Sequence, residues 1–291
     1  MTHPAIYVSS SCVNHRKIKD SVVALVEQGF RNIELSGGTH TYDQMEQDLI
    51  DLKQKYQLSY RCHNYFPPPV SHFVLNLSSA DPVERGVAIK HIQSAIQLSE
   101  RLEAKKLGIH AGFRMQPKVS ELGQAIGKSQ LLDEAAATQL FVEAWLKLSQ
   151  QAETAGVEIY IENNVLSAAN YKTFAANPFL ATDYDSIQHL LGLTKSRLLL
   201  DVAHLKVSCY SLGLNFSEQL AALIQCSDYI HLSDNNGMAD TNKGLQPDSE
   251  LLDILSSVPL QGKTFTLEVY DGATSLSRSY QLINSLLEQL Q

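Results

Sequence analysis

The stretch Arg197-Leu198-Leu199-Leu200-Asp201-Val202-Ala203-His204 does most to restrict what this chain can become. Three consecutive leucines read as a strand buried on both faces, the pattern of a parallel sheet covered by helices. The run then breaks into a carboxylate, with an imidazole three residues later. A charge at the end of a buried strand is costly unless compensated, and a divalent cation would compensate it. An Asp in that place also commonly caps the following helix, so one such strand carries little weight. The weight comes from recurrence along the chain.

Short apolar runs alternate with longer helical patterns from end to end. Ala5-Ile6-Tyr7-Val8 reads as a first strand, followed by an amphipathic stretch near Lys17–Gln28 that Gly29 is placed to end in a left-handed conformation. Asn32-Ile33-Glu34-Leu35 leads into a Ser-Gly-Gly loop and a helix near Tyr42–Lys55. Leu58-Ser59-Tyr60-Arg61-Cys62 leads to His63, and three prolines then force an extended loop. Asp81-Pro82 reads as N-cap and first helical position of a helix to about Ala104. Lys106–His110 is a fourth strand, Leu131–Ala155 the longest helical pattern, and Val157–Glu162 an alternating fifth strand. Thr182 followed by Asp185 reads as a helix cap before the leucine strand. Ser227–Leu232 and Thr264–Glu268 are the last two strands, and Ser275–Leu290 closes the chain as a helix.

Eight strands, each with a helix behind it, over roughly 250 residues is the arithmetic of a (β/α)8 TIM barrel of the α/β class. The competing doubly wound sheet usually carries G-x-G-x-x-G after its first strand, where this chain reads Ser9-Ser10-Ser11-Cys12-Val13-Asn14. No linker or low-complexity tract interrupts the pattern, so residues 1–291 are expected to form one barrel domain. The net charge of -8, with no basic run, argues against nucleic acid or an anionic membrane as partner. Cys12, Cys62, Cys209 and Cys226 are scattered and read as reduced thiols, and neither a signal peptide nor a membrane span is visible, so a cytoplasmic location is expected.

In a barrel, the carboxyl ends of the strands converge on one mouth. Those ends carry Glu34, His63, His110, Glu162, Asp201, His231 and Glu268, with His204 just behind Asp201. Taken singly, each acid is as easily a helix cap and each histidine a hydrogen-bonded core residue. Their convergence is what points to chemistry. Carboxylates and imidazoles on a rigid mouth suit one divalent ion such as Mn2+, Mg2+, Co2+ or Zn2+. Without it, Glu162, Asp201 and Glu268 would repel one another and raise at least one pKa.

The series Gly29–Leu35, Ile109-His110-Ala111-Gly112, Ile161-Glu162-Asn163, Asp201-Val202-Ala203-His204, His231–Gly237 and Leu267-Glu268 resembles the xylose-isomerase-like barrel superfamily. That superfamily includes sugar isomerases, keto-sugar 3-epimerases and the endonuclease IV group. The resemblance implies that Glu162, Asp201, His231 and Glu268 bind a single metal ion, and that Glu162 and Glu268 move protons on opposite faces of a bound sugar. It implies substrate contacts for His204, His110 and His63, the last two also falling where the endonuclease branch has further zinc ligands, and for Glu34 either a substrate hydroxyl or a role orienting the metal site from behind. Lys206 is a candidate for a phosphate or carboxylate on the substrate. The resemblance also leaves room for a homo-oligomer, since relatives are often dimers or tetramers.

Three functions follow as expectations. The first is metal-dependent isomerisation or epimerisation of a small sugar or sugar phosphate through an enediolate. The second is an endonuclease IV-like zinc phosphodiesterase acting on damaged DNA. Against it, Asn242 stands where that branch has the second histidine of Asp-x-His, the nearest match being Asp240-Thr241-Asn242. The third is a non-catalytic sugar-binding barrel, disfavoured because all four proposed metal ligands are present.

Overall fold

Alternate residues of a strand point to opposite faces, and in this chain the alternation divides two kinds of side chain. Along the leucine strand, Leu198 and Leu200 pack outward into the main hydrophobic core, whereas Leu199 packs inside the barrel with Tyr160 and Tyr229. Asp201, two residues beyond Leu199, therefore also points inward. The same period sends Val8, Ile33, Leu107, Ile161, Ile230 and Phe265 outward into the core.

The computed structural model describes residues 6–289. Eight parallel strands close in sequential order: β1 (Ile6–Ser9), β2 (Asn32–Leu35), β3 (Ser59–His63), β4 (Lys106–His110), β5 (Glu158–Glu162), β6 (Arg197–Asp201), β7 (Tyr229–Leu232) and β8 (Thr264–Leu267). β1 pairs with β8 to complete the ring, with Val8 opposite Leu267. The register places His110 beside Glu162, and Asp201 beside His231. Neighbours in register share a face, so these four side chains enter the same space.

Around the barrel run α1 (Ile18–Glu27), α2 (Met45–Tyr56), α3 (Pro82–Arg101), α4 (Glu134–Thr154), α5 (Ala168–Phe174), α6 (Tyr184–Thr194), α7 (Val202–Leu212), α8 (Phe216–Gln225), α9 (Glu250–Ser257) and α10 (Ala273–Gln289). The expected helix starts and stops are largely present. Asp81 accepts a hydrogen bond from the Val83 amide, with Pro82 opening α3, and Gly29 has φ 97° just after α1.

Three expectations need correction. The strand-to-strand connections hold more helix than one apiece: α5 and α6 both follow β5, and α7 and α8 both follow β6. α6 is capped by Asp183, not Thr182, through reciprocal bonds with Ser186, while the Thr182 hydroxyl supports the Asp183 carboxylate at 3.1 Å. The first strand begins at Ile6 and the last helix ends at Gln289; Ala5 and Leu290, which the sequence reading included, lie outside the described residues.

Candidate metal centre and active site

Seven strands deliver the chemistry-bearing residues. Glu34, His63, His110, Glu162 and Asp201 lie at or next to the last residues of β2 to β6, His231 lies one residue before the end of β7, and Glu268 directly follows β8. Asp201 serves two purposes. Its Oδ1 accepts the His204 amide at 2.7 Å, capping α7, while its Oδ2 lies 3.9 Å from His231 Nδ1. One oxygen thus caps α7, and the other faces the cluster.

His231 Nδ1 is the focus of the cluster. Glu162 Oε1 lies 3.5 Å from it and Glu268 Oε2 3.8 Å, alongside Asp201. The other side of Glu162 is held by two imidazoles, with His63 Nε2 at 2.6 Å and His110 Nε2 at 2.8 Å from Oε2. Gly108 makes room for this arrangement: a Cβ there would come within 2.8 Å of His63 Cδ2 and 2.5 Å of Leu199 Cδ2.

The remaining predicted residues divide. His204 donates from Nδ1 to the Asn163 carbonyl at 2.9 Å, and its Nε2 faces Asp240 Oδ2 at 3.4 Å. Glu34 is fully buried below the mouth, accepting from the Tyr229 hydroxyl and from Thr266 Oγ1 at 2.7 Å, with Oε1 2.8 Å from His231 Nε2. Its carboxylate is turned to protein partners, not to where a sugar hydroxyl would enter. Lys206 is buried and donates to Asp234 Oδ1 at 2.8 Å, with Glu250 at 3.9 Å, so its ammonium is already neutralised. A separate cleft of about 380 Å³, between the loops after β3 and β4, contains none of these residues.

Burial and mutual charge distort the titration of the cluster. Burial pushes the Glu268 carboxyl up, and although His231 and His63 oppose this, it reaches about 7. Burial likewise raises Asp201, with Glu162 adding to the rise against His204. Burial would raise Glu162 as well, but His110 and His63 outweigh it and hold that group well below the usual carboxylate range. Burial would lower His231, yet the carboxylates of Glu34 and Glu268 lift it well above an ordinary histidine.

Among the described residues, ligand atoms of Glu162, Asp201 and His231 lie within 4.8 Å of one another, as do those of His63, His110 and Glu162, and those of Glu34, His63, His231 and Glu268. The chemistry of the set fits a divalent cation. Among the described residues, Glu162 Oε1, Glu34 Oε1 and both ring nitrogens of His231 are buried without a hydrogen bond, and a cation between Glu162 Oε1 and His231 Nδ1 would take the lone pairs on that side of the ring.

Several contributors are not evident from sequence reasoning. Asn163 receives the Asp201 amide at 2.8 Å and donates to the Asp201 carbonyl at 2.9 Å, pinning that residue's backbone. Asp240 faces His204, and Tyr229 and Thr266 hold Glu34. Period-2 alternation is the signal that could have found Tyr229 and Thr266, since each lies two residues before an inward-pointing site residue, His231 or Glu268. Asp240 sits in a loop without periodicity, and the only sequence signal for it is its place at the head of Asp240-Thr241-Asn242, the nearest match to Asp-x-His.

Solved structures share this architecture. A D-tagatose 3-epimerase-like protein aligns at TM-score 0.73 and 17% identity over 98% of both chains. An L-ribulose 3-epimerase aligns at TM-score 0.69 and 14% identity over 100% of this chain and 96% of its own. An AP endonuclease, family 2, from Brucella melitensis aligns at TM-score 0.64 and 13% identity over 95% of this chain and 97% of its own. No curated protein matches the chain in sequence. The family described as xylose isomerase-like TIM barrel matches residues 22–286, and the chain belongs to that family.

Proposed function

We propose that the chain is a divalent-metal-dependent isomerase or epimerase of a small sugar or sugar derivative, acting as a single barrel domain over residues 1–291. The observation that carries this reading is the grouping of Glu162, Asp201 and Glu268 around His231 Nδ1, with Glu162 Oε1 and that ring nitrogen both buried and without hydrogen bonds. The shared fold of the D-tagatose 3-epimerase-like protein and the L-ribulose 3-epimerase supports the choice of sugar chemistry.

Glu162, Asp201, His231 and Glu268 would hold one ion, Mn2+, Mg2+, Co2+ or Zn2+, which supplies positive charge to polarise substrate oxygens and to offset charge developing on them. One of Glu162 and Glu268 removes the proton from the carbon next to the substrate carbonyl, giving an enediolate. The other returns a proton to complete the isomerisation or epimerisation. The two come from β5 and β8, well separated around the ring, as proton transfer on opposite faces of a sugar requires. His110, the most accessible of the four clustered imidazoles at 28% exposure, and His204 are placed to meet substrate hydroxyls. His63 braces Glu162 from within the same wall. The reading takes a small sugar as partner in the cytoplasm and no nucleic acid, in keeping with the net charge of -8.

Elemental analysis of the purified chain beside Asp201→Ala and His231→Ala, followed by solvent-deuterium incorporation into candidate ketoses, tests the proposal. About one divalent ion per chain, lost in both variants, with deuterium entering next to a carbonyl, is the expected outcome. A chain that takes up no metal after soaking, and exchanges no sugar proton, is a non-catalytic barrel.

The group formed by His63, His110 and Glu162 favours a second reading, a zinc phosphodiesterase. Against it, Asn242 donates toward Ser233 Oγ at 3.4 Å, and an amide in place of imidazole is a poor zinc ligand. Two or three zinc ions per chain would put this reading first.

A further inference from the structure

His231 meets the cluster through Nδ1 alone; its other nitrogen faces Glu34. Glu34 is completely buried, and each of its oxygens already has a neighbour. Oε1 lies 2.8 Å from His231 Nε2, while Oε2 accepts from two hydroxyls, Tyr229 on β7 and Thr266 on β8.

The support continues downward. The Tyr229 ring lies 4.5 Å from the Arg61 guanidinium, which in turn lies 3.8 Å from the Tyr7 ring. Arg61 and Glu34 are register partners on adjacent strands, so both enter the barrel from the same face. A buried cation, an aromatic hydroxyl and a buried anion are thus stacked directly beneath His231.

We propose that Glu34, held by Tyr229 and Thr266, is a positioning residue for His231, and that this buried unit sets how tightly the site binds its divalent ion. The inference rests on the metal reading above and extends it to residues that touch neither ion nor sugar. A carboxylate on Nε2 fixes the tautomer that leaves Nδ1 with a free lone pair, fixes the ring plane and raises the donor strength of Nδ1. The two hydroxyls commit Oε2 and leave Oε1 to the imidazole. The alternative is Glu34 as a ligand in its own right with His63, His231 and Glu268, since those atoms also lie within 4.8 Å. That would turn Oε1 from its place 2.8 Å from His231 Nε2 toward the ion, with Oε2 still held by its two hydroxyls.

The test is Mn2+ and Co2+ affinity, measured by competition with a chromophoric chelator, for the parent chain, Glu34→Gln, Tyr229→Phe and the Tyr229→Phe/Thr266→Val pair. Glu34→Gln should weaken binding about 10- to 100-fold, the range found when a partner behind a metal-bound histidine is lost. Tyr229→Phe keeps the ring and its packing, and should weaken binding by a smaller factor; the double variant should approach Glu34→Gln. Each variant should keep the Co2+ stoichiometry of the parent but shift its visible d–d absorption, because the imidazole is reoriented and not removed.

Tyr160→Phe serves as the control for mere packing. Tyr160 is equally buried and lies beside Tyr229, but its hydroxyl donates to Glu158 and Asp228, away from the cluster. It should lower thermal stability without moving metal affinity. Parent-like affinity in Tyr229→Phe and the double variant would overturn the inference while leaving the metal reading intact. Loss of one ion per chain in Glu34→Gln, with no change in Tyr229→Phe, would make Glu34 a ligand and also overturn it. A parent chain that binds neither ion would remove the metal reading itself, and this inference with it.

Discussion

Replacing Glu268 by Gln should stabilise the metal-free protein above neutral pH and yet weaken its stabilisation by metal. Burial lifts the Glu268 carboxyl from 4.5 to about 7, so the folded chain holds this proton more tightly than the unfolded chain does. Between those two values the folded state binds more protons, and stability falls as pH rises; above 7 the loss is complete and constant. The 2.5-unit gap corresponds to about 3 kcal/mol. Gln cannot ionise and escapes this penalty. In chelator, the difference between Glu268→Gln and the parent should therefore grow in the variant's favour from pH 5 to pH 8. For a domain of this size the full effect is a shift of roughly 5–10 °C in Tm. His231 and His204 are also raised above their ordinary value, so their stabilisation likewise declines as pH rises through those raised values. Removing the Glu268 carboxylate also takes away part of the lift on His231, so the difference between the two proteins is the net of the variant's gain and that smaller loss. Saturating Mn2+ should invert the order, because the parent gains binding free energy that the variant, short of one ligand, largely loses. Thermal melts across pH, with and without Mn2+, measure all of this. A metal-free variant no more stable than the parent at pH 8 would refute the frustrated-carboxylate reasoning, and equal gains from Mn2+ would refute the role of Glu268 as a ligand.

Asp201→Asn and Asp201→Ala should separate the two functions of that residue. Asn retains the cap on α7 and loses metal affinity, whereas Ala loses both and is less stable than Asn by about 1 kcal/mol without metal, as read from chelator melts and Mn2+ titration. Gly108→Ala should destabilise by about 1–3 kcal/mol in denaturant unfolding, because its Cβ meets Leu199 and His63 inside a closed barrel with no room to retreat. Lys206→Met should lower stability by about 1–3 kcal/mol by removing the buried cation that pairs with Asp234, which keeps only the Asn235 amide as donor. It should leave inorganic phosphate binding, followed by calorimetry, unchanged; a loss of phosphate binding would restore Lys206 as a substrate contact.

The strands and their terminal acids and imidazoles were legible because one pattern, period 2 ending in a polar residue, encodes both. Leu198 and Leu200 announce the outward core, and Asp201 is inward because it lies two residues beyond Leu199. Lys206 has a partner in the protein that sequence reasoning does not reveal, Asp234 in the loop after β7. It stands two residues after His204 in sequence, but two residues on a helix are about 200° apart, so the same turn that brings His204 to the mouth carries Lys206 away to Asp234. Glu34 was legible as a member of the cluster but not in its orientation, because that depends on Tyr229 and Thr266, some 195 and 232 residues away in sequence. The added helices escaped notice because a seven-residue segment such as α5 is too short to show a hydrophobic period.

The same alternation explains why the site is energetically expensive in the metal-free chain. Outward residues of the strands supply the apolar burial that holds the ring closed, so every inward position at the mouth is free to be chosen for chemistry. The inward set at β5 to β8 is Glu162, Asp201, His231 and Glu268, and three of these are acids. Burial raises two of the acids, and the third stays ionised only because His63 and His110 lie against it. A protein using these groups only as helix caps would not need them all within reach of one imidazole. Asp201 caps α7 with a single oxygen, and Glu162, Glu268 and His231 cap nothing. Under the proposed function, a divalent ion at the cluster would relieve these repulsions. The cluster's rigidity comes from below, where the Glu34 carboxylate fixes His231 on strands that the leucine-rich outer face holds in place.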